Sequence, residues 1–230
     1  MGVFLRGSLL IVILGIYTLS ASAQYKGLGG WNIITINLPG NTQHRWGGYF
    51  EAQDRNYGIT TQFYYYEVKA GVSYNFDNNS SALLGTGRYT TYGYDELDEG
   101  PQVTETRLWE QFNLTQYISR IKLDHRYRVE QRWLSTGYRN RFRYRLTATV
   151  PFNYPKMQKG AVFFSGFGEA FLTNKEPHFE RSRFAGSLGY QFTKAFNLQA
   201  GIINQYNYAI TNDNSKNYLI LTATYNILRK

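Results

Sequence analysis

Residues 120–134, RIKLDHRYRVEQRWL, alternate between charged and apolar side chains. Successive side chains of a β-strand point to opposite faces, so this segment, as a strand, has one charged face and one apolar face. A soluble sheet buries such an apolar face, whereas a closed barrel in a lipid bilayer turns it outward. The rest of the chain decides between these two architectures. The charged face comprises Lys122, Asp124, Arg126, Arg128, Glu130 and Arg132, and the apolar face comprises Ile121, Leu123, Tyr127, Val129 and Trp133.

The same two-residue period recurs along the chain. In residues 139–150, RNRFRYRLTATV, an arginine occupies every second position from Arg139 to Arg145, and in residues 62–76 aromatic and aliphatic side chains alternate with polar ones. Segments of this kind, separated by turn-forming residues, predict strands long enough to cross a bilayer when tilted, which takes ~9–11 residues. The other candidate strands are 31–38, 44–54, 81–93, 103–117, 160–172, 179–192, 196–210 and 216–228.

The connections between these candidate strands alternate in length. Bacterial outer-membrane barrels keep short turns in the periplasm and longer loops outside, so the alternation favours an all-β, transmembrane, antiparallel up-and-down barrel with a periplasmic C-terminus. Ten strands give the even number typical of such barrels and leave 31–38 as an extra strand or a plug-like lead-in, with twelve strands as the alternative count. The short connections are 77–79, 118–119 and 193–194, and the longer ones are 94–102, 173–178 and 211–216.

The first 23 residues have the features of a secretory signal peptide. One cation, Arg6, precedes the apolar run 8–19, and an Ala-x-Ala cleavage site ending at Ala23 follows. We therefore expect export, with residues 24–230 forming one domain. That part has no cysteine for disulfides and no apolar run as long as a transmembrane helix. Dispersed apolar residues and 21 tyrosines favour the outer membrane, where aromatic girdles mark both lipid interfaces.

The charged faces of these strands predict a lumen rich in arginine. Unpaired charges in a narrow space of low dielectric constant are costly, so the cations require acidic partners. One interpretation is a ladder of salt bridges and Arg–Tyr contacts that fills a narrow barrel, and the alternative is an arginine-lined path for anions. The predicted charge network comprises Glu51, Glu67, Glu105, Lys122, Asp124, Arg126, Arg128, Glu130, Arg132, Arg139, Arg141, Arg143, Arg145, Glu169, Arg181 and Arg183.

A formal net charge of +9 would ordinarily suggest nucleic acid as the partner. The signal peptide and the barrel pattern argue against nucleic acid. We expect instead a monomer whose partner is outer-membrane lipid, with the phosphates of lipopolysaccharide as a ligand for basic groups near the outer leaflet.

Catalytic chemistry has weak support in the sequence. Lipid-acting hydrolases use a serine activated by a histidine, and the grouping to consider is His178, Glu180 and Ser182, whose spacing does not enforce the required hydrogen bond. No Cys or His cluster predicts a metal, and no Gly-rich loop before a helix predicts a phosphate-bearing cofactor. We therefore expect no catalytic residues, metal or cofactor, and keep a lipid-modifying enzyme as a further functional alternative.

Several motifs taken together resemble a known family. Over nearly the whole chain after residue 23, the pattern is similar to a domain-of-unknown-function family of Bacteroidota outer-membrane barrel proteins. The resemblance implies an outer-membrane barrel and no established catalytic residues. The motifs are Trp46 leading into Glu51 and Arg55, RYRVEQRW at 126–133, RNRFRYRL at 139–146 followed by Pro151, GEAF at 168–171, and RSR at 181–183 before an LGYQF strand.

A soluble exported β-sandwich or lipid-binding barrel is the competing fold. It would place Tyr64, Tyr66, Val68, Val72 and Tyr74 inside and the cations outside. Nearly every candidate strand has a similarly aromatic face, which is more than one sandwich core uses. The sequence therefore favours a small outer-membrane barrel with a packed, charged lumen and a structural or envelope-interaction role, and an anion-preferring channel is the first alternative.

Overall fold

The computed structural model describes residues 27–229 and shows a closed all-β barrel of eleven strands. The signal peptide predicted for residues 1–23 lies outside the described residues. Among residues 27–229, no helix is long and apolar enough to cross a membrane. The strands are β1 (Gly29–Leu38), β2 (Trp46–Asn56), β3 (Phe63–Asn75), β4 (Ser80–Thr91), β5 (Val103–Ile118), β6 (Ile121–Leu134), β7 (Gly137–Pro151), β8 (Val162–Thr173), β9 (Phe179–Gln191), β10 (Phe196–Asn207) and β11 (Asn214–Asn226), with a short 3-10 helix at Leu97–Glu99.

Eleven strands, rather than ten, close the barrel. Consecutive strands pair antiparallel all the way round, and β1 closes the ring by pairing in parallel with β11, with Gly29 opposite Tyr218. The expected counts of ten and twelve strands are therefore wrong, and 31–38 forms most of β1 instead of a lead-in. A ring built only of hairpins has an even number of strands, whereas an odd strand fits where the first and last strands run in the same direction.

An odd strand count puts the start of β1 and the end of β11 at opposite ends of the barrel. The amino end is where β1 begins at Gly29, and the carboxyl end is where β11 finishes at Asn226. The short turns predicted from the sequence lie at the carboxyl end, and the predicted longer connections lie at the amino end. Three other connections depart from this trend, because 135–136 is a two-residue turn at the amino end, while 39–45 and 152–161 are loops of seven and ten residues at the carboxyl end.

Local hydrogen bonds shape the short turn between β3 and β4. The Asp77 carboxylate accepts the backbone N–H groups of Asn79 and Ser80, each at 2.7 Å. These bonds hold the pKa of Asp77 below its usual range. A side chain that bonds the backbone two residues on is a standard way to reverse the chain in a few residues.

The two faces of the sheet have opposite chemistry. Inside the barrel, Glu130 and Trp109 are fully buried at 0% exposure, whereas Phe184 and Leu188 on the outer surface are 62% and 61% exposed. The alternation in the sequence predicted this division, with charges in the lumen and apolar side chains outside. A soluble sandwich would have the reverse arrangement, so that competing fold is wrong.

Two local features depart from simple alternation and shape the lumen. A register shift after Arg55 on β2 lets Tyr64, expected on the outer face, share a 2.8 Å hydrogen bond with the hydroxyl of Tyr218. Gly85 lies opposite Trp109 in the β4–β5 pair, and a Cβ atom there would be 2.4 Å from the indole ring. The glycine therefore leaves room for a large aromatic side chain inside the barrel.

Candidate functional site

Strands β6 and β7 bring like charges face to face inside the barrel. Like charges at directly opposed positions destabilise a sheet. Carboxylates from these strands and their neighbours must therefore neutralise the arginines. The opposed like-charge pairs are Arg126 with Arg145, Arg128 with Arg143, and Arg132 with Arg139, and between them Glu130 faces Arg141.

Glu130 is the acidic centre of this inner surface. Its carboxylate accepts hydrogen bonds from Arg141 and Arg143, both at 2.6 Å. Arg128 and Arg107 approach the same carboxylate to 3.5 and 3.8 Å. Hydrogen bonds between charged partners are stronger than neutral ones, so this single buried acid links β5, β6 and β7.

Glu169 on β8 has the same role one layer closer to the carboxyl end. It accepts hydrogen bonds from Arg126 at 2.6 Å and from Arg143 and Arg145 at 2.7 Å. Arg183 on β9 lies 3.9 Å away. Because Arg143 contacts both Glu130 and Glu169, the two acidic centres form one continuous network.

Two further acids extend the network toward the amino end. Glu105 accepts hydrogen bonds from Arg107 at 2.5 and 2.7 Å and also binds Arg132. Glu180 lies 3.3 Å from both Arg132 and Arg141. Arg132 and Arg141 therefore each contact two carboxylates, and Arg107 binds Glu105 through two nitrogen atoms.

The opposite part of the lumen has its own ion pairs, on β2 and β3. Lys69 contacts Glu51 and lies 2.6 Å from Glu67. Arg55 lies 3.9 Å from Glu67. Both acids are thus neutralised by residues of their own hairpin, and among the described residues neither forms an ion pair with an arginine of β6 or β7.

Cations outnumber carboxylates in this set, which we name the lumen network. Within the described residues it contains eleven cations and six carboxylates, so the interior is strongly electropositive. The cations are Arg55, Lys69, Arg107, Arg126, Arg128, Arg132, Arg141, Arg143, Arg145, Arg181 and Arg183, and the carboxylates are Glu51, Glu67, Glu105, Glu130, Glu169 and Glu180.

Aromatic rings fill much of the space between the guanidinium groups. The guanidinium carbon of Arg107 lies 3.5 Å from the centre of the Tyr89 ring, and that of Arg128 lies 4.7 Å from the Trp109 ring. The guanidinium of Arg143 lies 4.5 Å from the ring of Phe171, which is fully buried. Cation–π contacts of this kind are favourable, especially when desolvated, and their side chains occupy much of the middle of the lumen.

Packing at the centre of the lumen is incomplete. A cavity of about 250 Å³ is lined by nine cationic side chains and by the carboxylates Glu51 and Glu67. Hydroxyl groups of Thr147, Ser165 and Ser187 lie in the same wall. The site is therefore a polar, positively charged chamber rather than an apolar ligand pocket.

A family comparison agrees with this geometry. The pattern of one protein family matches residues 28–216, which span β1 to the start of β11. The chain belongs to the family described as Protein of unknown function (DUF2490). No curated protein and no solved structure matches the chain. Membership of DUF2490 therefore implies no particular activity.

The structure of this DUF2490 barrel places thirteen of the sixteen predicted charge-network residues in the lumen network. Three predicted residues lie apart from it. Lys122 and Asp124 form their own 2.9 Å ion pair nearer the carboxyl end, with about a third of each side chain exposed. Arg139, near the start of β7, makes no ion pair within residues 27–229.

Sequence reasoning missed four members of the lumen network. Arg55, Lys69 and Arg107 lie two residues from Gln53, Glu67 and Glu105 on the same strand faces, so the alternation alone would have found them. The fourth, Glu180, joins the network through a register shift between β8 and β9. No sequence signal of a register shift exists at that position.

The possible catalytic trio is not assembled. The Nδ1 atom of His178 bonds the carbonyl of Thr173, the Ser182 hydroxyl bonds Tyr208, and Glu180 binds arginines. Among the described residues, no group of three or more His, Cys, Asp or Glu side chains could hold a metal ion. The trio therefore does not form the hydrogen-bonded arrangement of a nucleophile and its base.

Proposed function

We propose that this chain is an outer-membrane β-barrel whose lumen is closed by its own charged and aromatic side chains, with a structural or envelope-interaction role. The observation that carries the proposal is the outer surface, where every strand contributes an exposed large apolar side chain. Such a complete apolar band is costly in water and favourable in lipid. One example from each strand, β1 to β11 in order, is Ile34, Phe50, Val72, Leu84, Leu108, Val129, Phe142, Phe164, Phe184, Ile202 and Leu221.

Aromatic side chains border the band at both ends, as in the girdles of outer-membrane barrels. Tyr66 and Tyr74 mark the two borders on β3. The eight residue steps from Tyr66 to Tyr74 span about 27 Å along the strand, or roughly 21 Å of height at a tilt of ~40°, close to the ~25 Å of a membrane band. Ring contacts at the carboxyl end join Trp46, Tyr74, Phe76 and Phe112, and also Tyr190, Phe192 and Phe196. Those at the amino end join Phe63, Tyr66 and Tyr92, Trp133 and Tyr138, and Tyr206, Tyr208 and Phe179.

Closure of the ring supports the same location. Backbone groups in lipid must find partners within the protein, and a closed barrel satisfies this requirement while an open sheet does not. It also leaves no free edge for pairing with another chain, which favours a monomer surrounded by outer-membrane lipid. The acidic loop that contains Asp95, Glu96, Asp98 and Glu99 lies at the amino end, where contact with lipopolysaccharide phosphates would need bridging divalent cations.

Four tryptophans provide a direct test. Trp46 and Trp133 are exposed on the outer surface, whereas Trp31 and Trp109 are buried inside. We expect lipids brominated in their acyl chains to quench a Trp31→Phe/Trp109→Phe variant strongly. The matched Trp46→Phe/Trp133→Phe variant should be quenched little. Equal quenching of two folded variants in vesicles would show that the barrel does not present this face to lipid.

A narrow anion-preferring channel is the second candidate, favoured by the nine cations that line the central cavity. The buried layer of Glu130, Arg141, Trp109 and Phe171 opposes it, because these side chains occupy the middle of the lumen. In planar bilayers with a salt gradient we expect the folded protein to be silent. Discrete anion-selective current steps would instead make the arginines a conduction path.

A further inference from the structure

Positive charge is concentrated around the central cavity. Nine cations line it against Glu51 and Glu67, and those two acids already pair with Lys69 and Arg55. The lumen network as a whole keeps an excess of five cations, so its own acids do not neutralise it. Buried charge without a partner is costly. We propose that the cavity is a binding site for one small divalent oxyanion of the phosphate type.

Two arginines indicate where such an anion is held. Arg126 and Arg145 face each other across β6 and β7, and each donates one Nη2 hydrogen bond to Glu169, at 2.6 and 2.7 Å. The Nε atom of each is buried and has no hydrogen-bond partner among the described residues. A guanidinium presents five N–H donors in a fixed fork that matches phosphate geometry. The anion would therefore accept hydrogen bonds from the Nε–H groups that do not bind Glu169.

A buried hydroxyl in the same wall gives independent support. Tyr89 is only 3% exposed and lines the cavity, and its hydroxyl has no partner in the described part of the chain. Buried polar atoms in folded proteins are nearly always hydrogen-bonded, so an unpaired one beside a cavity points to a group that occupies the cavity. With Thr147, Ser165 and Ser187, the wall offers neutral donors as well as charge.

The cavity also limits the kind of anion. About 250 Å³ is smaller than the ~300–1,000 Å³ typical of pockets for drug-sized ligands, so it suits an ion of a few heavy atoms. The ring of hydrogen-bonded strands separates the cavity from the surroundings of the barrel. A phosphate attached to acyl chains would have to bring them into a charged lumen, so we assign a free oxyanion and not a lipid head group.

The cavity adjoins a basic vestibule at the carboxyl end. This vestibule, bordered by Pro39 and Gly40, shares Arg126 and Arg128 with the cavity wall. A basic rim raises the local concentration of anions and steers them inward. Only the assignment of this end to the periplasm rests on the proposed function. The exposed cations of the carboxyl-end connections are Arg45, Arg120, Lys156, Lys159 and Lys194.

Titration calorimetry with inorganic phosphate tests the site on the refolded barrel in a zwitterionic detergent. We expect wild-type protein to bind one phosphate. An Arg126→Gln/Arg145→Gln variant should bind it at least about tenfold more weakly, a loss of one or two charge-assisted hydrogen bonds. The matched control is Arg88→Gln, which removes an arginine from the exposed outer surface, where Arg88 bonds Thr106. This control should bind phosphate as the wild type does.

Melting temperatures with and without phosphate distinguish a binding site from a purely structural ion pair. Without phosphate, Arg126→Gln should melt at the same temperature as the wild type or higher, because it relieves an opposed like-charge pair while Glu169 keeps its other arginines. Phosphate should then raise the melting temperature of the wild type but not of the double variant. A clearly lower melting temperature for Arg126→Gln, with no phosphate response in the wild type, overturns the proposal.

Two further outcomes would also overturn it. One is a wild-type barrel that binds no phosphate although it is folded, as shown by faster migration in gel electrophoresis before heating than after. The other is equal binding of chloride and phosphate, since the site is proposed for a divalent oxyanion. Tryptophan quenching in vesicles measures membrane insertion separately, so failure to bind an anion and failure to insert into the membrane are distinguishable.

Discussion

The inner surface of β5 to β9 and the inner surface of β10, β11 and β1 belong to one closed sheet but differ in chemistry. The first, the charged wall, holds nine of the eleven cations of the lumen network. The second, the apolar wall, is centred on a buried cluster of Trp31, Ile203, Tyr218 and Ile220. The barrel therefore has two cores of different kinds facing one lumen.

The two walls also differ in how their strands pair. The apolar wall contains the parallel pair of β1 and β11, where the ring closes. Hydrophobic contacts are not directional, so they stabilise this closure without demanding an accurate alignment of donors and acceptors. The charged wall is made entirely of antiparallel pairs, and the two-residue turns that join β5 to β6 and β6 to β7 set the register that their ion pairs require. Substitutions on the two walls should accordingly have effects of different size and different salt dependence.

Loss of Glu130 should have the largest effect, because it removes a buried carboxylate that four arginines of the charged wall approach. We expect Glu130→Ala to lower the free energy of unfolding by ~3–5 kcal/mol, as for other buried pairs that lose one partner. Urea unfolding in detergent measures this change. Glu110→Ala is the matched control, since Glu110 is exposed on the outer surface and accepts a hydrogen bond from Gln131. A similarly small effect at both positions would mean that the charged wall does not stabilise the barrel.

A truncation in the apolar wall should come next. Ile203 is 1% exposed within the cluster, so Ile203→Ala should cost about 2–4 kcal/mol through lost burial and the cavity left behind. Its neighbour Ile202 points outward and is 47% exposed, which makes Ile202→Ala the control, with a smaller cost. This difference should persist in high salt. Equal losses at the two positions would contradict the assignment of faces.

The positions of the strands, their charged faces and the outer apolar surface could be predicted, because a period of two is visible within each segment. The closure of the ring could not, since the parallel pairing of β1 with β11 joins residues nearly 190 positions apart and leaves no local signal. Arg–Tyr contacts in the lumen were expected, but the individual aromatic residues were not identified. Trp109 and Phe171 lie two residues from Arg107 and Glu169 on the same faces. The position of a residue in the two-residue alternation, rather than its chemical class, therefore decides whether its side chain points inward.

Arg183 connects the two walls, and its coupling should be of intermediate size. Its guanidinium lies 4.8 Å from the rings of both Trp31 on the apolar wall and Phe171 on the charged wall. A double-mutant cycle of Arg183→Gln and Trp31→Leu should give an interaction energy of about 1 kcal/mol, within the ~0.5–2 kcal/mol of cation–π contacts. Additive losses in urea unfolding would show that the two walls are energetically independent.

The smallest effect is expected at the carboxyl-end edge of the charged wall, where water reaches the ions. Lys122 and Asp124 form a 2.9 Å pair, but their side chains are 36% and 34% exposed. Exposed pairs contribute ~0–1 kcal/mol, so Lys122→Ala should cost less than about 1 kcal/mol. Salt near 1 M reduces the Debye length to ~3 Å and should abolish that cost, while the cost of Glu130→Ala, in a site closed to water, should persist. If salt reduced both costs by the same fraction, the Glu130 centre would be as accessible to ions as the edge, and the buried layer at mid-lumen would not be closed.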